Sequence, residues 1–285
     1  KSDTLSQLLK VISSWHNNLM TLLEDRTNLW NKINVIPDGE VTPSYIRELK
    51  LYKGQAGICR DENGLAISLL NTGKSYPDDI FESGLLYHYP ETERKGSHDL
   101  NEIESTKECQ KQNIPLFIIL PGIHNSTRRV RLGWIVDFDD LAKWFLIEYG
   151  DDQPVQNKIE EELVLIEKRS SKKLLVKSRP NQGKFRFNLL KKFGSKCAVC
   201  NIQNKFLLDA AHIISKENDG SDDWRNGIIL CKNHHAAFDR NLFKIDESNF
   251  SIIEYEEGLN ISESHLKTLT GLLPHQDAFI HRYND

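Results

Sequence analysis

Two periods organise the apolar positions of this chain. Leu5, Leu8, Ile12, Trp15, Leu19 and Leu22 follow one another at alternating spacings of three and four, which predicts an amphipathic helix over residues 4–23. Its stripe is expected to pack on its own domain; a contact between subunits is the alternative. Farther along, Ala66–Leu70, Leu85–Tyr89, Leu116–Leu120 and Val130–Val136 are short apolar or β-branched runs separated by Gly, Pro, Asn and Asp. Such runs predict a twisted sheet or partial barrel, with a helix over residues 101–112. The polar, turn-rich stretch from Tyr149 to Gln156 closes this first domain, and another helix is predicted over residues 157–168.

Composition changes this picture at several points. A length of 285 residues suits two domains better than one. No apolar run approaches the roughly 18 residues of a membrane-spanning helix, so no membrane partner is expected. Five cysteines, an odd and sparse set, do not make a secreted disulfide scaffold, and they point to a reducing, cytoplasmic setting. The net charge is −4, yet residues 168–196 hold eleven Lys or Arg and no Asp or Glu. A solvated charge run is the ordinary reading of such a segment, but complete exclusion of acids over 29 residues points to a polyanion. Nucleic acid is the expected partner, with Lys172, Lys173, Lys184 and Arg186 neutralising phosphate without reading sequence.

The last third of the chain concentrates metal-ligating residues. Cys197-Ala-Val-Cys200 and, 31 residues on, Cys231-Lys-Asn-His234 form two knuckles whose thiolates and imidazole suit a tetrahedral, closed structural Zn²⁺ site. A redox CxxC is the rival reading, weakened by the second pair. Between the knuckles lie Leu207-Leu-Asp-Ala-Ala-His212-Ile-Ile and Asn226-Gly-Ile-Ile-Leu-Cys231, followed by His234-His235-Ala-Ala-Phe-Asp239. A lone His in a strand is usually structural; the order His, Asn, His, interleaved with zinc ligands, argues for more. His235 and Asp239 are four apart, so on a helix they share one face and can grip one cation.

This segment resembles the HNH nuclease family over residues 179–246, including the approach Arg179-Pro-Asn-Gln182-Gly-Lys-Phe185-Arg186 and the tail Asp239-Arg-Asn-Leu-Phe-Lys-Ile. The resemblance implies a ββα-metal fold, a β-hairpin and helix clasping a metal. It also implies that His212 is the general base, that Asn226 fixes loop and base geometry, and that His235 is a catalytic metal ligand. Asp239 stands where some members place a second ligand. Many members carry Asp or His immediately before the base, where this chain has Ala211. Either Asp239 and a nearby acid such as Asp209 complete the sphere, or the site binds metal weakly. The chemistry suits these residue types: an imidazole deprotonates water near neutral pH, and a hard cation such as Mg²⁺ or Mn²⁺ stabilises a phosphodiester transition state.

An earlier stretch carries a second resemblance. Gly57-Ile58, Gly64-Leu-Ala66-Ile-Ser68-Leu-Leu, Gly73-Lys-Ser-Tyr76-Pro-Asp-Asp79 and Gly84-Leu-Leu-Tyr-His-Tyr89 resemble the SRA (SET- and RING-associated) domain family over residues 50–140. That family implies a small twisted barrel that flips a modified cytosine out of duplex DNA, with Tyr76, Asp79 and Tyr89 on its modified-base-binding positions. Two aromatic faces and an acceptor for the exocyclic amine are what a flipped pyrimidine needs. The alternative is that both tyrosines are strand aromatics and Asp79 a turn residue.

The expected fold class is therefore α+β. An N-terminal helix and SRA-like twisted β-barrel span residues 1–150, a basic connector spans 151–180, and a zinc-stapled ββα-metal (HNH) domain spans 181–285. The expected function is a restriction-like endonuclease of the prokaryotic cytoplasm. It would act as a homodimer on double-stranded DNA carrying 5-methyl- or 5-hydroxymethylcytosine. The alternatives are a non-catalytic modified-DNA-binding module, and a nuclease reading another mark such as a phosphorothioate.

Overall fold

The computed structural model describes residues 19–54, 57–71, 79–92, 94–154, 163–167, 182–254, 256–262, 265–268 and 273–284. The chain divides into two compact units. The first comprises Lys1–Asp79, Ser83–Phe138 and Trp144–Gln156; the second comprises Ile80–Glu82, Asp139–Lys143 and Asn157–Asp285.

The first unit begins, among described residues, with a helix through residues 19–34 (α1). The strand β1 (Glu40–Val41) and the short helix α2 (Pro43–Glu48) follow. Thr42 caps α2 by accepting from Tyr45 N at 3.3 Å, and Pro43 takes the first helical position, where no donor is needed. Then come β2 (Ile58–Arg60), β3 (Ala66–Leu70), β4 (Asp79–Phe81, of which Ile80 and Phe81 are counted with the second unit), β5 (Gly84–His88), α3 (His98–Lys111), β6 (Leu116–Pro121), β7 (Arg128–Asp139) and β8 (Trp144–Tyr149). They build one sheet in the order β2-β3-β6-β7-β8-β5-β4, with β1 on β7 and the β3–β6 pair parallel.

The central strand shows why the run around Leu116 is continuously apolar. Leu116, Ile118 and Leu120 enter a core cluster with Leu69, Cys109 and Phe145. Phe117 and Ile119 enter another with Trp30, Ile33, Ile46 and Val130. A strand buried on both faces has no polar side to alternate with. Arg26 of α1 is buried among these elements, donating to the carbonyls of Ala66 (3.1 Å), Ile67 (3.3 Å) and Pro115 (3.2 Å) and pairing with Asp61 at 2.7 Å.

Three expectations meet the structure here. The four apolar runs fall in β3, β5, β6 and β7, and the helix expected over residues 101–112 is α3. The barrel is corrected: among described residues β2 and β4 stand at opposite ends of the strand path, so the sheet is open. The stripe over residues 4–23 lies mostly outside the described residues, and the helix containing Leu19 and Leu22 continues to residue 34.

The second unit contains α4 (Gln182–Phe193), β9 (Leu208–His212), β10 (Gly227–Cys231), α5 (Lys232–Asp239), β11 (Phe243–Ile245), β12 (Ile252–Glu254) and α6 (Gln276–Asn284). β9 and β10 pair antiparallel, with His212 opposite Gly227 and Leu208 opposite Cys231. A Cβ at Gly227 would collide with Phe185 and Leu189 of α4, so glycine lets that helix close on the hairpin. The helix expected over residues 157–168 is corrected where it is described. Residues 163–167 are extended, with Ile166 bridged to Gly220. Their backbone bonds go to the 219–221 turn: Glu167 N donates to Asp219 O at 2.8 Å and Ser221 N to Leu165 O at 2.9 Å. Among the described residues, no helix is long and apolar enough to cross a membrane.

Candidate functional site

The second unit gathers its chemistry at the hairpin and the helix that follows it. Cys197 and Cys200 lie in the turns after α4, Cys231 ends β10, and His234 is in the first turn of α5. All four are buried, and their ligand atoms lie within 4.8 Å of one another. The Cys200 and Cys231 sulfurs are 3.9 Å apart, and His234 Nδ1 stands 3.1 Å from Cys231 Sγ and 3.8 Å from Cys197 Sγ. A zinc–thiolate bond of about 2.3 Å sets tetrahedral edges of about 3.8 Å, so this donor set fits zinc. His234 Nε2 meets the Leu259 carbonyl at 2.8 Å, which leaves Nδ1 as the donor atom. Cys231 N donates to Cys197 Sγ at 3.3 Å. Without a cation, burial pushes the Cys197 thiol up to about 12 and raises Cys231 as well. A bound cation would displace the thiol protons and let the four groups act together as ligands.

His235, one residue on, faces elsewhere. Its Nδ1 is 3.3 Å from Asp209 Oδ2 and its Nε2 is 3.5 Å from Asp239 Oδ2. Strand alternation puts Asp209 on the same face of β9 as Ala211, toward α5, while His212 turns to the other face, toward α4. Asp209 thus presents a carboxylate on the side where Ala211 offers none. Lys232 Nζ also binds Asp209, at 3.1 Å.

His212 ends β9 and is nearly buried. Phe185 stacks on its ring, with centroids 4.0 Å apart and planes within 8°. Its Nε2 meets Asp222 Oδ1 at 2.9 Å, and Lys216 Nζ meets the same oxygen at 2.9 Å. Burial alone would raise the Asp222 carboxyl, but hydrogen bonds from His212 and Lys216 outweigh it and hold the group below the usual carboxylate range. Sequence reasoning missed Asp222, which stands in a Ser-Asp-Asp turn with no periodic signal. Asn226 is fully buried and closes the loop between the strands: its Oδ1 accepts from Ile214 N at 2.9 Å, and its Nδ2 donates to Ile214 O at 3.2 Å and Ser221 O at 3.0 Å.

The remaining sequence candidates fare unevenly. Lys184 is exposed on α4. Arg186 is committed to the protein, its terminal nitrogens donating to the carbonyls of Leu208 and of Lys205, the latter at 2.8 Å. Lys172 and Lys173 lie outside the described residues, as do Tyr76 and the Asp79 side chain. Tyr89 is a core residue in the first unit, its ring 4.4 Å from that of Phe145 and tilted by 39°. Two of the three expected base-binding side chains thus lie outside the described residues.

Residues 197–246 match the HNH endonuclease family. Among solved structures, a chain described as "Modification dependent TagI restriction endonuclease" is similar over 86% of this chain and 90% of its own, at 17% identity and a TM-score of 0.35. A likeness that loose carries no structural argument. No curated protein matches the chain. The second unit thus carries an HNH endonuclease domain, which makes the protein a nuclease and DNA its partner.

Proposed function

We propose that the protein is a metal-dependent endonuclease for duplex DNA carrying modified cytosine, with His212 as general base. The observation that supports this best is the division between consecutive helical residues. His234 joins a closed four-donor cluster, while His235 stands between two carboxylates within the same HNH-matching segment.

Cys197, Cys200, Cys231 and His234 would hold Zn²⁺ as a structural staple. His235, with Asp239 or Asp209, would hold the catalytic ion, Mg²⁺ or Mn²⁺. When bound, that ion supplies charge stabilisation at the phosphate and the departing oxygen. His212 accepts the proton of the attacking water, the task for which an imidazole is suited at neutral pH. Asn226 keeps the loop that begins after His212 closed. Lys184, with Lys172 and Lys173, neutralises backbone phosphate.

The substrate reading rests on the spacing of Tyr76, Asp79 and Tyr89 in the sequence. In it Tyr76 and Tyr89 would supply the aromatic faces for the flipped base, and Asp79 would accept from its exocyclic amine. Two copies cutting one strand each would form the working homodimer.

Cleavage of matched plasmids, plain, 5-methylated and 5-hydroxymethylated, with Mg²⁺ or Mn²⁺ tests both parts. The wild type should cut the modified plasmids, and His212→Ala should lose at least about 100-fold in rate with unchanged zinc content and melting. A His212→Ala rate above about a tenth of wild type removes the base assignment. Equal cutting of all three plasmids removes the modified-base reading and leaves the nuclease.

A further inference from the structure

His212 is held on two sides by groups that its role as a base does not by itself require. Phe185 lies parallel to the ring at 4.0 Å and fixes its plane. Asp222 meets Nε2 at 2.9 Å and fixes its rotation within that plane. A carboxylate has only acceptor sites, so the hydrogen in this contact belongs to Nε2, and in the neutral imidazole the basic nitrogen is Nδ1. The acid is itself anchored. The 219–221 turn before it is bridged to residues 164–167, and Ser221 hydroxyl donates to the Val164 carbonyl. Lys216 shares the oxygen that His212 uses and balances the charge. The adjacent acid, Asp223, is turned to Arg225, with contacts of 2.9 and 2.5 Å.

We propose that Asp222 is a positioning residue for His212: it fixes the tautomer and orientation that present Nδ1 to the attacking water, and it supports the imidazolium formed when the proton arrives. The proposal rests on the reading of His212 as the general base. Among the described residues, Lys216, from the turn after β9, is the charged group that meets the pair, the neighbouring Asp223 is paired with Arg225, and α4 contributes the neutral Phe185 ring. The step is a proton transfer in balance. Water gives one proton to Nδ1 while its oxygen bonds to phosphorus, the bond from phosphorus to the departing oxygen breaks, that oxygen takes a proton from solvent, and the Nε2 proton stays shared with Asp222.

Removal of the carboxylate has a defined sign. Asp222 favours the charged imidazolium, so Asp222→Asn lowers the pKa of His212, and Lys216→Met, which removes an opposing cation, raises it. The test has two arms. In histidine-labelled protein, ¹⁵N ring shifts of His212 should show the Nε2-protonated tautomer at neutral pH. Its titration should move down by about one pH unit in Asp222→Asn and upward in Lys216→Met. In plasmid cleavage with Mg²⁺, the acid limb of the rate profile should move in the same two directions. The plateau rate of Asp222→Asn should fall about 10- to 100-fold, as for other residues that orient a catalytic group.

A merely structural Asp222 would lower the rate without moving the acid limb. An Nδ1-protonated His212, or a titration unmoved by either substitution, overturns the proposal. The two readings fail separately. His212→Ala retaining activity removes the base, whereas an inactive His212→Ala beside unaltered ¹⁵N titrations removes only Asp222. If Asp222→Asn does not fold, the tautomer of the wild type and the Lys216→Met shift decide the matter.

Discussion

Cys109 in the first unit and Cys197 in the second are both thiols that burial pushes up to about 12, yet they stand in opposite company. Cys109 Sγ donates to the carbonyls of Ser105 (3.3 Å) and Ala66 (3.2 Å) inside a fifteen-residue apolar cluster. Cys197 is surrounded by three more soft or imidazole donors. The perturbed thiol is the same in both places, so it cannot mark function. What differs is convergence: a core thiol has packed neighbours, and a ligand thiol has other ligands. The first unit is held by a sheet with core on both faces, whereas the second builds its site on a two-stranded hairpin, which is marginal without a further tie.

The sharpest way to break the comparison is to remove the tie. Chelation, or Cys200→Ser, should unfold the second unit at a cost of several kcal/mol or more while leaving the first unit's transition in place. Calorimetry that shows one unperturbed transition would mean that the cluster holds no metal. A smaller effect tests the first unit's own anchor. Arg26→Met leaves Asp61 and three carbonyls without their cation, and it should cost about 3 kcal/mol, read as a lower denaturant midpoint for that unit alone. Smallest of all should be Cys109→Ala, about 1 kcal/mol from a small cavity and two weak hydrogen bonds. A loss there as large as that of Cys200→Ser would erase the distinction between the two kinds of buried thiol.

These differences also explain what could be read in advance. Ala66–Leu70 and Leu116–Leu120 announce strands because their neighbours in the sheet bury both faces, and burial is written in the residues themselves. The Cys/His knuckles announce a site because ligand spacing is local: two residues between donors is the reach of one tight turn. The sheet order was not legible. The parallel β3–β6 pair and the antiparallel β5–β8 pair join strands far apart in sequence, and nothing in a short run names its partner. Asp222 escaped for the same reason. Its contact with His212 joins a strand end to a loop ten residues on, a loop that Asn226 helps to close through Ile214 and Ser221. Arg186 shows a contact no basic run announces: its terminal nitrogens donate to the carbonyls of Leu208 and Lys205, which lie about twenty residues on.

The extended segment at residues 163–167 has a consequence for anyone trimming the protein. A C-terminal fragment begun at residue 181, where the sequence suggests a border, keeps every zinc ligand and both histidines of interest. It discards, however, the outer edge against which the 219–221 turn is paired. Ser221 N, the Ser221 hydroxyl and the Asp219 carbonyl would all exchange a protein partner for water, one residue before the acid that holds His212. Such a fragment would retain its metal and its fold while the imidazole loses its fixed bearing. The border that preserves chemistry lies upstream of the one that preserves folding.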